Sequence, residues 1–187
     1  MVKILIGVVV VAIAAVVVFL VIDPSIGITT TNTNNSIVLV DDDSTSIAEG
    51  YFSATIEGEV TKPGIYVLED GAVMDDLINA AGGLTPYGDD LAYYEDAFLS
   101  SGSTYYIPPK YDTSDVCQLS EIKKVNINTA SLDQLLEIKV FSNSVANALI
   151  TYRAENGEFK TIEDILNVYG IGNATYRKLR GYIILHE

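Results

Sequence analysis

Ser131-Leu132-Asp133-Gln134-Leu135-Leu136-Glu137-Ile138 and Thr161-Ile162-Glu163-Asp164-Ile165-Leu166-Asn167-Val168 are one short sequence written twice, thirty residues apart. Each position keeps its polar or apolar character, Gln134 against Asp164 and Glu137 against Asn167 exchanging an amide and a carboxylate. The correspondence runs on. Lys139-Val140-Phe141-Ser142-Asn143 lies over Tyr169-Gly170-Ile171-Gly172-Asn173, and Leu149 over Leu179. Two copies of one supersecondary unit are the simplest account of such self-similarity. Each copy reads as two helices around a tight hairpin. Ser131 with Gln134 fits a capping box at the start of the first helix. Val145, Ala148, Leu149 and Tyr152 give the second helix an apolar face at i, i+3, i+4 and i+7, and Asn156-Gly157 ends it. Ile162, Ile165 and Leu166 are expected to face inward from a third helix, and Tyr176, Leu179 and Ile183 from a fourth. The expected fold is an all-α unit of four short helices around one core.

The second hairpin carries the chemistry. Gly170 and Gly172 are expected to adopt backbone conformations barred to other residues and to let another backbone come close. Ile171 between them plugs the core. The chain then enters a helix whose first N–H groups have no internal partner. Those N–H groups, around Gly172, Asn173 and Ala174, suit a phosphate oxygen, aided by the helix dipole. Arg177 and Lys178 follow within about a turn, and Arg180 soon after; on a helical wheel they fall toward solvent, placed to neutralise further phosphates. Such contacts read phosphate rather than base edges. The first hairpin is degenerate, with Val140-Phe141-Ser142 in place of Gly170-Ile171-Gly172. Phe141 can still plug the core, whereas Val140, being β-branched, resists positive φ. Ser142, Asn143 and Ser144 keep donors, so a phosphate contact there stays open.

Upstream, residues 51–110 read as a small α+β unit. Phe52, Ala54, Ile56 and Val60 fall on one side of a strand, with Gly58 in the fourth position of the row. Pro63-Gly64 turns the chain into a second strand at 65–68. Met74, Leu77, Ile78 and Ala81 make one face of a helix, which Gly82-Gly83 stops. Thr104-Tyr105-Tyr106-Ile107 is a last strand, closed by Pro108-Pro109. Residues 111–123 read as a linker and 124–187 as the helical domain.

The net charge of −14 looks hostile to a polyanion until it is divided. Residues 121–187 hold eight bases and eight acids and are neutral; the remaining three bases and seventeen acids carry the whole excess. A neutral domain binds polyanions if its cations cluster, while the acidic part repels them. The single Cys117 excludes an internal disulfide, and with the single His186 it excludes the common metal sites and catalytic triads. Asp75-Asp76, Asp89-Asp90 and Glu95-Asp96 are neighbours in sequence, and neighbours on a helix or strand point apart, so they form no catalytic dyad. No enzyme, metal or cofactor is expected.

Residues 4–22 are nineteen residues without a charge, near the ~20 that cross a bilayer as a helix. That exceeds the ~7–15 apolar residues of a signal-peptide core, which favours an uncleaved anchor over a cleaved signal. Lys3 precedes the span, and no base follows it until Lys62, so the N-terminus is expected in the cytoplasm and the rest outside. The anchor thus covers 1–23. A polar run at 24–50, with Thr29-Thr30-Thr31-Asn32-Thr33-Asn34-Asn35-Ser36 and Asp41-Asp42-Asp43, reads as a stalk with a span of roughly 30 Å.

Val60-Thr61-Lys62-Pro63-Gly64-Ile65-Tyr66, Ala80-Ala81-Gly82-Gly83-Leu84 and Tyr106-Ile107-Pro108 resemble the soluble-ligand-binding β-grasp family, SLBB. Val125-Asn126-Ile127-Asn128-Thr129-Ala130-Ser131, Tyr152-Arg153, Asn156-Gly157-Glu158-Phe159-Lys160 and 166–172 resemble the helix-hairpin-helix domain of the ComEA-type competence DNA receptors, and the domain order is similar too. The resemblance implies sequence-nonspecific binding of double-stranded DNA outside the membrane during DNA uptake. Uptake-channel or pilus components are then implied partners, and self-association through the β-grasp domain is expected. Two departures stand out: the degenerate first hairpin, and Asn173 where the family commonly has proline. Few bases predict modest affinity and a shallow salt slope. The alternative reading is a non-catalytic envelope assembly protein whose β-grasp domain binds protein or polysaccharide.

Overall fold

Alternation of buried and half-buried side chains builds the first sheet. The computed structural model describes residues 47–112 and 119–187. Strand β1 (Tyr51–Gly58) buries Phe52, Ala54 and Ile56 on one face. Strand β2 (Gly64–Glu69) returns antiparallel, with Tyr51 opposite Glu69 and Ile56 opposite Gly64. Helix α1 (Met74–Ala80) lays Met74, Leu77, Ile78 and the capping Ala81 into the same core, as their spacing predicts. Strand β3 (Thr104–Ile107) then runs parallel to β1, giving the order β2-β1-β3. β3 is therefore an edge, and its outer backbone needs a partner from elsewhere.

Acids of two of these pairs have structural partners. Asp76 accepts the Val73 N–H at 2.9 Å, Asp75 accepts from the Asn79 amide, and Asp90 pairs with Lys110 at 2.7 Å. Strands β4 (Tyr111–Asp112) and β5 (Ser120–Glu121) pair antiparallel within the segment expected as a linker. The apolar span at 4–22, most of the stalk expected at 24–50, and Cys117 lie outside the described residues. Among the described residues no helix is long and apolar enough to cross a membrane.

The C-terminal unit contains helices α2 (Leu132–Glu137), α3 (Asn143–Asn156) and α4 (Asn173–Leu179), with a 3-10 helix at Ile162–Asn167. Three expectations need correction. First, the unit is not all-α: β6 (Val125–Asn126) and β7 (Ile183–Ile184) pair in parallel, so Ile183 reaches the core from a strand and not from the fourth helix. Second, the third helix is 3-10. At three residues per turn Ile162 and Ile165 share a face and are buried, while Leu166, one position on, rotates out to 38% exposure. Third, the buried line of α3 is Ala146 and Leu149, and Val145, Ala148 and Tyr152 are only half-buried beside it.

Polar stitching holds the repeat together. The Asn128 amide donates to the Phe159 and Leu185 carbonyls, both at 3.0 Å, while its oxygen accepts the Phe159 N–H at 2.8 Å. Arg153 donates to the Ile127 carbonyl at 2.7 Å and the Ala130 carbonyl at 2.6 Å. The stretch 125–131, so characteristic in sequence, is thus occupied with closing the fold.

The β-grasp and helical units pack directly on each other. Tyr94 lies against both hydrophobic cores. Tyr94 donates its N–H to the Lys160 carbonyl at 3.0 Å, and Leu185 donates to Leu91 at 2.8 Å. His186 bonds the Tyr93 carbonyl through Nε2 at 2.9 Å. Lys124 and Asp89 form an ion pair with side chains only 6% and 5% exposed. Burial pulls the Lys124 ammonium below its ordinary pKa, against the opposing pull of Asp89.

Candidate nucleic-acid interface

The two hairpin turns have the same backbone plan. In the first, the Phe141 N–H closes on the Ile138 carbonyl at 3.0 Å; in the second, Ile171 closes on Val168 at 3.0 Å. Phe141 and Ile171 are both buried, at 6% and 4% exposure, as the core plugs expected of them. Glycine is needed at one position only. Gly170 has φ +88°, which strains any residue with a Cβ. Gly172 has φ −98° and ψ 177°, ordinary extended backbone, which corrects the expectation that both glycines adopt special conformations. A Cβ on Gly172 would meet nothing within 4 Å. Its counterpart Ser142 has nearly the same geometry, φ −84° and ψ 157°. The fold itself gives no reason for glycine at 172; an open approach to the backbone does.

Beyond Gly172 the chain enters α4, whose first internal bond is Tyr176 N–H to the Gly172 carbonyl at 2.9 Å. Within the described residues no acceptor takes the N–H groups of Gly172, Asn173 or Ala174, and no side chain caps this helix. At seven residues α4 has a short dipole, so its free N–H groups matter more than its macrodipole. The first hairpin differs here. Ser142 Oγ accepts the Val145 N–H at 3.3 Å, so one donor is already satisfied. Asn143 and Ser144 stay exposed.

Of the eight bases in 121–187, five are engaged. Lys123 pairs with Glu137 and Lys124 with Asp89; Arg153 is held by backbone carbonyls. Lys160 lies over the Tyr94 ring at 4.2 Å and within 3.8 Å of Glu158. Arg180, expected to face DNA, instead stacks over Tyr106 at 3.7 Å and pairs with Glu57 at 3.6 Å, both in the β-grasp unit. The tyrosine ring and the carboxylate offer that guanidinium a better partner than water does. Lys139, Arg177 and Lys178 remain exposed without an ion-pair partner among the described residues. Arg177 and Lys178 follow Gly172 on α4, and Lys139 sits at the tip of the first hairpin, so the unpaired cations belong to the hairpins.

Sequence reasoning missed the carboxyl that braces α4. Glu163 accepts the Tyr106 N–H at 2.8 Å and the Tyr176 hydroxyl at 2.6 Å. It thereby satisfies the edge strand β3 and anchors α4 at once. The residue is half-buried, and its partial loss of hydration pushes its pKa up to about 7 despite both hydrogen bonds. Burial and the nearby Glu163 push the Tyr176 hydroxyl far up as well. Ser100, Ser103, Asn173, Arg177, Glu57 and Glu163 help line a polar cleft of about 600 Å³ beside this brace. The only sequence signal was an acid, Glu163, repeating the Asp133 position, which does not announce a brace.

Together the three-stranded β-grasp unit and the paired hairpins define a two-module protein of the SLBB and helix-hairpin-helix class. The helix-hairpin-helix motif model matches residues 120–184 and the SLBB domain model residues 53–93. The chain is 38% identical over 137 residues to ComE operon protein 1 of Bacillus subtilis (strain 168), covering 68% of this chain and 67% of that protein. The chain belongs to the family of that protein, the ComEA-type family. Shorter likenesses exist. Endonuclease/exonuclease/phosphatase family domain-containing protein 1 of Mus musculus is 39% identical over 57 residues, 30% of this chain but 10% of that protein. An uncharacterized protein of Haemophilus influenzae is 39% identical over 62 residues, 33% of this chain and 55% of its own length.

Proposed function

We propose that this chain is a non-enzymatic receptor for double-stranded DNA, which holds duplex through its second hairpin by phosphate contacts without sequence preference. The observation that carries the reading is a coincidence of position. N–H groups at Gly172, Asn173 and Ala174 with no acceptor among the described residues, a glycine the fold does not require, and Arg177 and Lys178 with no ion-pair partner among those residues all fall on one hairpin. Phosphate contacts from backbone and cations position a protein on a duplex without reading its bases. Membership of the ComEA-type family supports a role in DNA uptake. The degenerate first hairpin adds weaker contacts through Asn143 and Ser144.

The proposed setting is the outer face of the cytoplasmic membrane, with residues 4–22 as a single-pass anchor and the N-terminus inside. Cysteine-reactive labelling of intact cells, at an engineered cysteine in the C-terminal domain, tests this; labelling only after lysis would contradict it. Duplex binding is tested by an Arg177→Ala, Lys178→Ala variant. Affinity falls, and the slope of log K against log salt becomes shallower by about two.

A second element of the proposal is self-association through the β-grasp unit, where Ile65 and Phe98 are 72% and 76% exposed. Several weak hairpin sites on one duplex then reinforce one another. Sedimentation of the full chain in neutral detergent as monomer only, at high concentration, would contradict it.

A further inference from the structure

Tyr169 stands at the tip of the second hairpin with 96% of its surface exposed. No other tyrosine in the chain approaches this: all twelve lie in the described residues, and the next most exposed, Tyr87, is at 41%. The fold gains no packing from the Tyr169 ring. Its position is set by the turn, in which Ile171 closes on Val168 and leaves residues 169 and 170 as the two central positions. In the thirty-residue repeat the equivalent of Tyr169 is Lys139, which is likewise exposed and without an ion pair among the described residues. The two hairpins thus carry different chemistry at one position: a flat aromatic ring at one tip and a point charge at the other.

We infer that Tyr169 and Lys139 are two further DNA contacts, Tyr169 packing its ring on the sugar beside the phosphate held by the second hairpin, and Lys139 neutralising a phosphate at the first. This rests on the duplex-binding reading above. A phosphate held at the N–H groups of Gly172 and Asn173 brings its own nucleotide against the preceding turn, where the Tyr169 ring is already presented. Packing of the ring on a deoxyribose is tolerant of sequence, because every sugar along the duplex presents the same apolar edge and carries no base information. A tyrosine loses little conformational freedom on docking, having few rotatable bonds. The Tyr169 contribution is therefore independent of salt, and the Lys139 contribution is counterion release. The degenerate first hairpin keeps a role through its charge, although its backbone approach is blunted.

The test uses the full chain in neutral detergent, a short fluorescent duplex and a salt series. For Tyr169→Ala the affinity falls roughly fivefold at every salt concentration with the slope unchanged, as for truncation of a side chain at the edge of an interface, and Tyr169→Phe keeps most of the wild-type affinity. For Lys139→Ala the slope becomes shallower by about one. Tyr169→Ala binding like the wild type at every salt overturns the inference for the ring, and an unchanged slope in Lys139→Ala overturns it for the charge. A Gly172→Ser variant run alongside separates the two levels. If it loses binding while Tyr169→Ala does not, this inference alone falls; if neither loses binding, the hairpin reading falls with it. Tyr169 and Lys139 are exposed and a Cβ added at Gly172 meets open space, so loss of folding does not confuse the result.

Discussion

Gly170 and Gly172 look alike in sequence and do different things. Gly170 has positive φ, so Gly170→Ala is expected to destabilise the protein by about 1 kcal/mol through backbone strain, read by chemical denaturation. Gly172 is in ordinary extended backbone with open space at its Cβ, so Gly172→Ser is expected to leave stability unchanged within about 0.5 kcal/mol. Any DNA-binding defect in that variant then belongs to the surface and not to folding. Asn128 is the opposite case. Asn128→Ala leaves the Phe159 N–H and carbonyl without the partner they have now and removes one of two donors to the Leu185 carbonyl, which the Tyr94 hydroxyl also reaches at 3.4 Å, and is expected to cost about 2–3 kcal/mol. At this scale the sequence was readable for the plugs Phe141 and Ile171 and for the capping pair Ser131 and Gln134, whose mutual bonds are 3.3 and 2.8 Å. It was not readable for Arg180, because a solvent-side cation on a helical wheel gives no hint of an aromatic ring arriving from another unit.

At the scale of elements, periodicity located the strands and α1 well, since burial on one face forces a period. It failed where the period is not the α-helical one. Leu166 and Ile183 were assigned to helical faces, but a 3-10 turn rotates the first outward and a parallel strand carries the second. A six-residue segment is too short for its pattern to separate 3.0 from 3.6 residues per turn. The brace between the 3-10 helix, α4 and β3 gives a pH prediction. The Glu163 carboxyl, flanked by Tyr176, the Tyr106 N–H and Asp164, is held at a pKa of about 7 against an ordinary 4.5. Because the unfolded chain binds fewer protons than the folded one between these values, the stabilisation is fully present below about pH 4.5 and is lost as pH rises through about 7. Glu163→Gln, which keeps an acceptor and cannot ionise, is expected to flatten this part of the stability profile and to raise the melting temperature at pH 8 relative to the wild type. An unchanged slope in that variant would remove Glu163 as its source.

For the whole molecule, the charge division seen in sequence becomes a division of labour. The acidic excess lies before residue 121, and the neutral C-terminal unit keeps on its hairpins the cations that have no ion-pair partner among the described residues. What sequence could not convey is that the β-grasp and helical units are fastened together. Two apparently separate modules share Tyr94, the Glu57–Arg180 contact and the buried Lys124–Asp89 pair. Long-range pairings of this kind leave no local pattern. Asp89→Ala strands the buried Lys124 charge and is expected to cost about 3–5 kcal/mol, and the two units are expected to melt in one transition in the wild-type protein. Calorimetry with two resolved transitions would show the fastening to be weak.

The most direct test of the central claim is binding of a short fluorescent duplex to the full chain, wild type beside Gly172→Ser, across a salt series at constant pH. The account predicts wild-type binding that weakens with salt, and a Gly172→Ser protein with the same melting temperature that binds at least tenfold more weakly. Equal affinity of the two proteins would contradict it, and would leave the paired hairpins as a packing module rather than a phosphate site.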